Sequence, residues 1–565
     1  MKLALYHGYE LSGSGSNEYT RYLARALADQ GHDVVVIACE PAPEALDIVS
    51  RAYAYGTDGA ATELFRRPSP TPGEVSLHQL PRTSVYPVFL TDKQRSGVVK
   101  AFPELSDEEL GEYHRAMAAV LRSALEQERP TVLHANHMIY QPVICAEVCV
   151  AVAVPYYVVP HGSSIEYTVK RDPRFEALAR EGLRAAAGVA WIAREVRDRV
   201  LALFPELQAD LQGKGRMIGV GTDTSLFDRV APGQRRPALD RLAAMHRPGG
   251  KTAGQRQALR DALAAASRTL RPNPSPNPNQ KPSAASSSTI DPLRATQAYW
   301  DAYDHGLEDD DLPAQLARIP AEGELLFFVG AMTYGKGIQT LIAAMPGILA
   351  RRPDAHLVLV GSGTYREVLE ALVYALERRD TTLLDLLVAR GRDLERDSTR
   401  GPLEDLAAYA ATPEGHRTLL DHGPKLAGRI HFLGRLDHPR LRCIFPCARI
   451  GVFPSVIKEA SPLVFAEALA NGVLPTGSYH SGLRDGLDDI TPHLPAPIAE
   501  RMKLPAAARD RVANTVDQLS ELLELLSEED LSPQLRALAE ERYDWRAVAA
   551  TMADFATSIA DKDPR

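Results

Sequence analysis

ELLFFVGAMTYGKGIQTLIAAMPGILARRPDAHLVLVG, running from Glu324 to Gly361, decides the fold. An apolar run, LLFFVG, leads into a helical pattern from about Ile338 to Ala350, and a second apolar run, HLVLVG, follows. Runs that are apolar throughout suit strands buried on both faces, and the strand-helix-strand rhythm predicts a parallel sheet covered by helices. Downstream the rhythm continues through a helix from about Tyr365, then RIHFLG and ARIGVFPS. Upstream it is already present: LALY, VVVIA from Val34, TVLHA from Thr131 and PYYVV from Pro155 alternate with segments such as NEYTRYLARALADQG, apolar at three- and four-residue spacing. The chain therefore reads as two α/β domains in tandem.

Its 565 residues exceed what one ordinary core organises, which agrees with two domains plus decoration. Hydrophobic residues at 45% and charged residues at 24% fit a soluble globular protein, and a formal charge of -9 argues against a nucleic acid partner. Five cysteines, Cys39, Cys145, Cys149, Cys443 and Cys447, read as reduced buried thiols of a cytoplasmic protein, because no further ligands accompany the two Cys-x-x-x-Cys pairs. The start, MKLALYHGYE, is too short in apolar residues for a secretory leader, and no segment approaches the roughly eighteen apolar residues of a membrane span. Peripheral membrane contact is compatible with all of this.

RPNPSPNPNQKPSAASSST, Arg271 to Thr289, has the composition of a disordered loop joining two helices of an insertion, AGQRQALRDALAAASRTL and DPLRATQAYWDAYDHGLED. The expected organisation is a first domain over 1–228, an insertion or linker over 229–322, a second domain over 323–540 with a helical insertion at 380–426, and a last helix over 541–565. The acidic run Glu308 to Asp311, beside the loop and with no strand before it, reads as a solvated charge run.

Ligands of parallel α/β sheets sit beyond the carboxyl ends of strands, where backbone amides and helix N-termini collect anions. In LVLVGSGTYREVLEAL, Gly361 and Gly363 follow a strand and precede a helix; they let backbone approach phosphate, or simply make a cheap strand-to-helix turn. Lys336 stands near the start of a helix, where its charge opposes the dipole, so it is either a cation for a diphosphate or a solvated lysine. EASPLVFAEALANG, Glu459 to Gly472, carries two acids eight positions apart. Ser461 is a good N-cap and Pro462 a good first helical residue, so Glu459 is expected in the loop and Glu467 inside the helix. On one helix the acids would lie about 12 Å apart, too far to flank one bond as a glycosidase pair does, and the amides of Leu463 and Val464 would face an anion between them.

In the first domain His161, in VVPHGSS, follows a strand at the same edge, as do His134, Asn136 and His137 of HANHMIY, which read as the wall of a polar pocket. SGSGSNEY imitates the start of a dinucleotide fingerprint, but Glu18 stands where its third glycine belongs and HGYELS separates it from the strand, which disfavours an NAD site.

Taken in order, SGSGSNEYTRYLARALADQGHDVVV, TVLHANH, VVPHGSS, IGVGTDTSLF, LLFFVGAMTYGKGIQTLIAA, LVLVGSGTYREVLEAL, RIHFLGRLDHPRLRCIFPCARIGVFPS and EASPLVFAEALANG make the chain resemble the retaining nucleotide-sugar glycosyltransferases of family 4. The resemblance implies the GT-B architecture, two facing Rossmann-like domains, and transfer of a hexosyl group from a nucleotide-diphosphate sugar, such as a UDP-sugar, to a hydroxyl acceptor. It implies Glu467 on the ribose, Glu459 on the donor sugar, and Leu463, Val464 and Lys336 on the diphosphate. Gly15 of the N-terminal glycine loop would approach that diphosphate, His161 would stand near the reacting carbon, and Asn136 and His137 near a sugar, polyol or glycolipid acceptor. It also implies front-face attack with the leaving phosphate taking the acceptor's proton, no protein nucleophile, no cofactor and no metal. The last helix would cross back to the first domain.

One departure is chemical. Ala331 stands where the family usually has arginine, and Arg435 and Arg366 are the candidates to compensate. Pro462 also replaces the family's usual glycine. Alternative readings are a disaccharide synthase or phosphorylase of the sucrose or trehalose type, and a nucleotide-sugar-binding scaffold of weakened activity.

Overall fold

The computed structural model describes residues 1–89, 98–231, 233–270, 308–395 and 401–561. The segment read as a disordered loop, 271–289, lies outside the described residues, as does most of the helical segment after it. The chain forms two compact units. The first comprises Met1–Asp223, Glu459–Leu463 and Glu540–Arg565; the second comprises Thr224–Lys458 and Val464–Ala539.

The strands of the first unit are β1 (Lys2–Tyr6), β2 (Asp33–Ala38), β3 (Arg51–Tyr55), β4 (Ala61–Arg66), β5 (Val75–Gln79), β6 (Val85–Val88), β7 (Val98–Ala101), β8 (Val132–Asn136), β9 (Tyr156–Val159), β10 (Gly188–Trp191) and β11 (Gly215–Met217). Nine of them form one sheet in the order β11-β10-β9-β8-β1-β2-β5-β3-β4, and β6 and β7 pair separately. Every pairing in the large sheet is parallel except β3 with β4. The central strands are buried on both faces, which is why LALY, VVVIA, TVLHA and PYYVV are apolar throughout.

The helix Trp545–Ala560 packs on this unit. Its Trp545 ring meets Tyr19 edge-on at 5.4 Å and stacks on Tyr22 at 6.2 Å, and Phe555 meets Tyr157 at 5.3 Å. Gly188 on β10 lets the helix lie close, since a Cβ there would come 2.6 Å from the tip of Ile559. Ahead of the helix, Thr222 donates its amide to the Tyr543 carbonyl at 2.6 Å.

The second unit has β12 (Glu324–Val329), β13 (Ala355–Val360), β14 (Ile430–Phe432), β15 (Ile450–Phe453), β16 (Leu474–Ser478) and β17 (Lys503–Leu504) in the order β14-β13-β12-β15-β16-β17, all parallel. The helix Ile338–Arg351 joins β12 to β13, with Ile338–Leu349 wholly buried. The polar segment 380–426 holds the helices Thr381–Arg390, Glu404–Ala410 and Pro413–His422. Helices Arg235–Ala244, Ala253–Leu270 and Leu312–Arg318 also belong to this unit. Among the described residues no helix is long and apolar enough to cross a membrane.

Two expectations are corrected. The run Glu308 to Asp311 is not a solvated charge run: Glu308 and Asp309 are buried, and Asp309 binds both Arg366 and Arg256 while Glu308 pairs with Arg440. Carboxylates leave water when guanidinium groups replace their hydration, and these partners are distant in sequence. The second concerns the helix of the two acids, which begins at Leu463 and runs to Ala470, so Ser461 stands two residues ahead of it and is not its N-cap. Ala460 and Leu463 pack against the core of the first unit, and that packing sets the path of the segment.

Candidate active site

Each sheet has a point at its centre where strand order reverses, and ligands of open α/β sheets collect at such points. In the first unit it falls between β1 and β8, flanked by the HGYELSGSGS loop and by HANH; in the second it falls between β12 and β15, flanked by GAMTYGKG and by the chain leading to Glu459.

In the second unit these loops are tied together by backbone. The Gly335 carbonyl accepts from Ser455 Oγ at 3.0 Å and from the Val456 amide at 2.8 Å. Gly337 has φ +72°, and a Cβ there would lie 1.8 Å from the Pro454 carbonyl oxygen, so only glycine fits. Lys336 closes the short turn Tyr334–Lys336 and is half-buried. Gly361 and Gly363 serve a close approach of their own: Cβ atoms there would lie 1.9 Å from the Gly330 oxygen and 2.5 Å from the Met332 oxygen. They let the turn after β13 lie on the loop after β12, where the Met332 amide donates to the Ser362 carbonyl at 2.8 Å.

Glu467 is buried, and its Oε1 receives His438 Nε2 at 3.0 Å. Leu463 and Val464 are the first two residues of the helix that carries it, so their amides belong to its unpaired N-terminal set. Ala331 is exposed, and so is Arg435 just beyond β14. Arg366 is buried and held by Asp309 at 2.5 and 2.8 Å and by Glu370 at 2.9 Å. Its charge is already spent on carboxylates, whereas that of Arg435 faces solvent.

In the first unit the ends of β1, β8 and β9 bring four histidines together around Asn136. Its Oδ1 accepts from His161 Nε2 at 2.8 Å and from His134 Nε2 at 3.2 Å, and its Nδ2 donates to Thr20 Oγ1 at 3.3 Å. An amide oxygen only accepts, so both imidazoles carry their proton on Nε2, which leaves His161 Nδ1 as an acceptor. Thr20 and Asn17 reach the glycine loop through the Ser16 and Ser12 carbonyls, at 2.9 and 2.6 Å, and Asn17 Oδ1 binds His7 Nε2 at 2.8 Å. Gly15 begins the helix Gly15–Asp29 with open space at its Cβ position.

Burial keeps all four histidines neutral: His7 is lowered to about 4 and His134 to about 3, and His137 and His161 are pushed well down, first by burial and then by the charge of neighbouring histidines. His137 has φ +67°, and neither of its ring nitrogens has a partner among the described residues. Its ring lies 4.8 Å from His161, 4.7 Å from Phe89 and 5.5 Å from His7. A buried histidine in the left-handed region with idle nitrogens is a strained position.

The Glu459–Leu463 segment belongs to this same unit. A Cβ on Gly162, the residue after His161, would lie 3.1 Å from Ala460 Cβ, so the HGSS turn and the residue beside Glu459 are in contact. Sequence reasoning missed His438 and His7. His7 stands directly beyond the carboxyl end of β1, and that position was the available signal; His438 opens the helix His438–Ile444 and carried none.

Residues 14–209 match the Glycosyl transferase 4-like domain family and residues 314–384 match Glycosyl transferases group 1. Among solved structures, the catalytic domain of starch synthase IV from Arabidopsis thaliana, bound to ADP and acarbose, has a TM-score of 0.52 at 13% identity, covering 99% of each chain. Sucrose-phosphate synthase from Thermosynechococcus elongatus gives 0.51 at 17% identity, covering 99% of this chain and 98% of the other. HepE of Anabaena, in complex with UDP-glucose, gives 0.50 at 12% identity, covering 99% and 100%. The fold is thus GT-B, and each unit carries sequence of a glycosyltransferase domain. An uncharacterized glycosyltransferase of Methanocaldococcus jannaschii is 53% identical over 53 residues, which spans 9% of this chain and only 13% of that protein.

Proposed function

We propose that the chain is a retaining glycosyltransferase that moves a hexosyl group from a nucleotide-diphosphate sugar to a hydroxyl acceptor without a metal. The observation that carries this reading is the contact of the HGSS turn with Ala460, which sets His161 and Glu459 on neighbouring segments. Glu467, oriented by His438, binds the ribose hydroxyls, and Glu459 binds hydroxyls of the donor sugar. Lys336 and the amides of Leu463 and Val464 hold the diphosphate.

The acceptor oxygen bonds to the anomeric carbon on the face from which the diphosphate departs. The carbon–oxygen bond to phosphate breaks, and the departing phosphate oxygen takes the acceptor's proton. His161 supports this role as a neutral hydrogen-bonding group, because its Nε2–H is committed to Asn136 and burial disfavours its imidazolium. His137 and Asn136 face the acceptor. Of the two candidates to replace the arginine missing at Ala331, Arg366 is already held by the buried Asp309, whereas Arg435 is exposed.

The test incubates the full chain with the glucose conjugates of UDP, ADP and GDP and a panel of hexose, hexose phosphate and polyol acceptors, following nucleoside diphosphate release and the anomeric configuration of product. Turnover with a retained α-anomer supports the reading, and an inverted product refutes the retaining mechanism. Donor binding without any turnover would favour the scaffold.

A further inference from the structure

The second unit holds a cleft of about 90 Å³ beside its edge strand β14, walled by the helices Ala253–Leu270, Leu312–Arg318 and Arg366–Glu377. At its lining a chain of hydrogen bonds fixes a proton. Arg429 Nη1 lies 2.7 Å from His356 Nε2, and a guanidinium can only donate, so that nitrogen accepts. His356, neutral with its pKa lowered to about 4 mainly by burial, therefore carries its proton on Nδ1 and donates to His431 Nε2 at 3.0 Å. His431, lowered to about 3 mainly by burial, is left as the Nδ1–H tautomer. His431 is wholly buried and lines the cleft, and its Nδ1 has no partner among the described residues.

A second donor in the same lining is idle. Arg256 spends Nη2 on Asp309, Asp311 and the Phe432 carbonyl, while its buried Nε has no partner among the described residues. Two further guanidinium groups, Arg260 and Arg318, line the cleft from exposed positions. Of the two acids present, Glu370 is paired with Lys251 and Arg366, and Glu377, which burial raises, has Arg260 and Arg378 as its opposing charges. What the two idle donors lack is an acceptor.

We propose that the cleft is a binding site for a small oxyanion, a phosphate group, that accepts from His431 Nδ1–H and Arg256 Nε–H and is neutralised by Arg260 and Arg318. The volume fits such a group, since one water needs on the order of 10–15 Å³ by the same measure. The site belongs to the insertion and β14 rather than to the loops after β12 and β15, so it stands apart from the proposed donor pocket and does not depend on the proposed reaction.

The test is calorimetric titration of the full chain with inorganic phosphate, with sodium chloride at matched ionic strength as reference and glucose 6-phosphate as a second arm. Variants are R260A/R318A, altering two exposed side chains, H431F, and K336A at the proposed diphosphate site. Phosphate should bind the wild type and K336A alike and at least about tenfold more weakly in R260A/R318A and in H431F. If circular dichroism shows H431F unfolded, the double variant decides. Tighter binding of glucose 6-phosphate assigns the group to a phosphate monoester, and equal or weaker binding assigns it to free phosphate. Phosphate that acts no differently from chloride, or that keeps its affinity in R260A/R318A and loses it in K336A, overturns the site.

Discussion

Asn136→Leu tests whether one buried amide organises the histidine cluster. The amide oxygen accepts from His161 at 2.8 Å and His134 at 3.2 Å, with Asn136 itself fully buried. Leucine is close in volume, so the change removes the acceptor without opening a large cavity. Two buried N–H donors are stranded, each costing about 1–3 kcal/mol, so the first unit should lose about 2–6 kcal/mol. At about 2–4 °C per kcal/mol for a unit of this size, its melting transition should fall by about 4–24 °C in scanning calorimetry. His161→Phe removes one of the stranded donors, so Asn136→Leu combined with His161→Phe should cost less than the sum of the single changes. An Asn136→Leu protein within about 0.5 kcal/mol of wild type, or strict additivity in the double variant, refutes the assignment.

Other expectations follow from the same geometry. Gly337→Ala places a Cβ 1.8 Å from the Pro454 oxygen at φ +72°, so it should destabilise the second unit by about 2 kcal/mol or more, read from the urea midpoint; a neutral effect would contradict the loop geometry. The histidine cluster makes stability acid-sensitive. A buried histidine with a lowered pKa favours the neutral form in the folded state, so its contribution is complete above about pH 6.5 and is lost as pH falls toward about 4, by up to about 1.4 kcal/mol per unit for each group. Urea midpoints between pH 7.5 and 4.5 should fall accordingly, net of Glu367 and Glu377, which burial raises and which act in the opposite sense; a midpoint that rises as pH falls would contradict a dominant role for the histidines. In steady-state kinetics, His161→Ala should lower kcat by about tenfold or more with little change in donor KM, and a change confined to KM would reverse its role. Ala331→Arg should tighten donor binding by about tenfold if the diphosphate lies on the loop after β12; no gain would move it elsewhere.

What could be read in the sequence was whatever rests on neighbours along the chain. LLFFVG, HLVLVG and VVVIA announce strands because both faces are buried, and Gly361 and Gly363 announce a turn. Strands β3 to β5 carried no such mark: β4 is an exposed edge strand without an apolar face, and no sequence reading covered this part of the chain. Interactions across the chain were equally silent. Asp309 looked solvated because Arg366 and Arg256 stand 57 and 53 positions away, and His438 went unnoticed because Glu467 is 29 positions on. Glu459 and Glu467 were rightly separated into loop and helix, but Ser461 was taken as a cap because the sequence does not show that Ala460 and Leu463 pack on the first unit.

The central claim is that Glu467 binds the nucleotide of a sugar donor. Titration calorimetry of UDP, ADP and GDP into the wild type and Glu467→Ala tests it directly. The account predicts that at least one nucleotide binds the wild type and that its affinity falls by about tenfold or more in the variant, with the fold intact. A wild type that binds none of the three, or a variant that binds as well as the wild type, contradicts it.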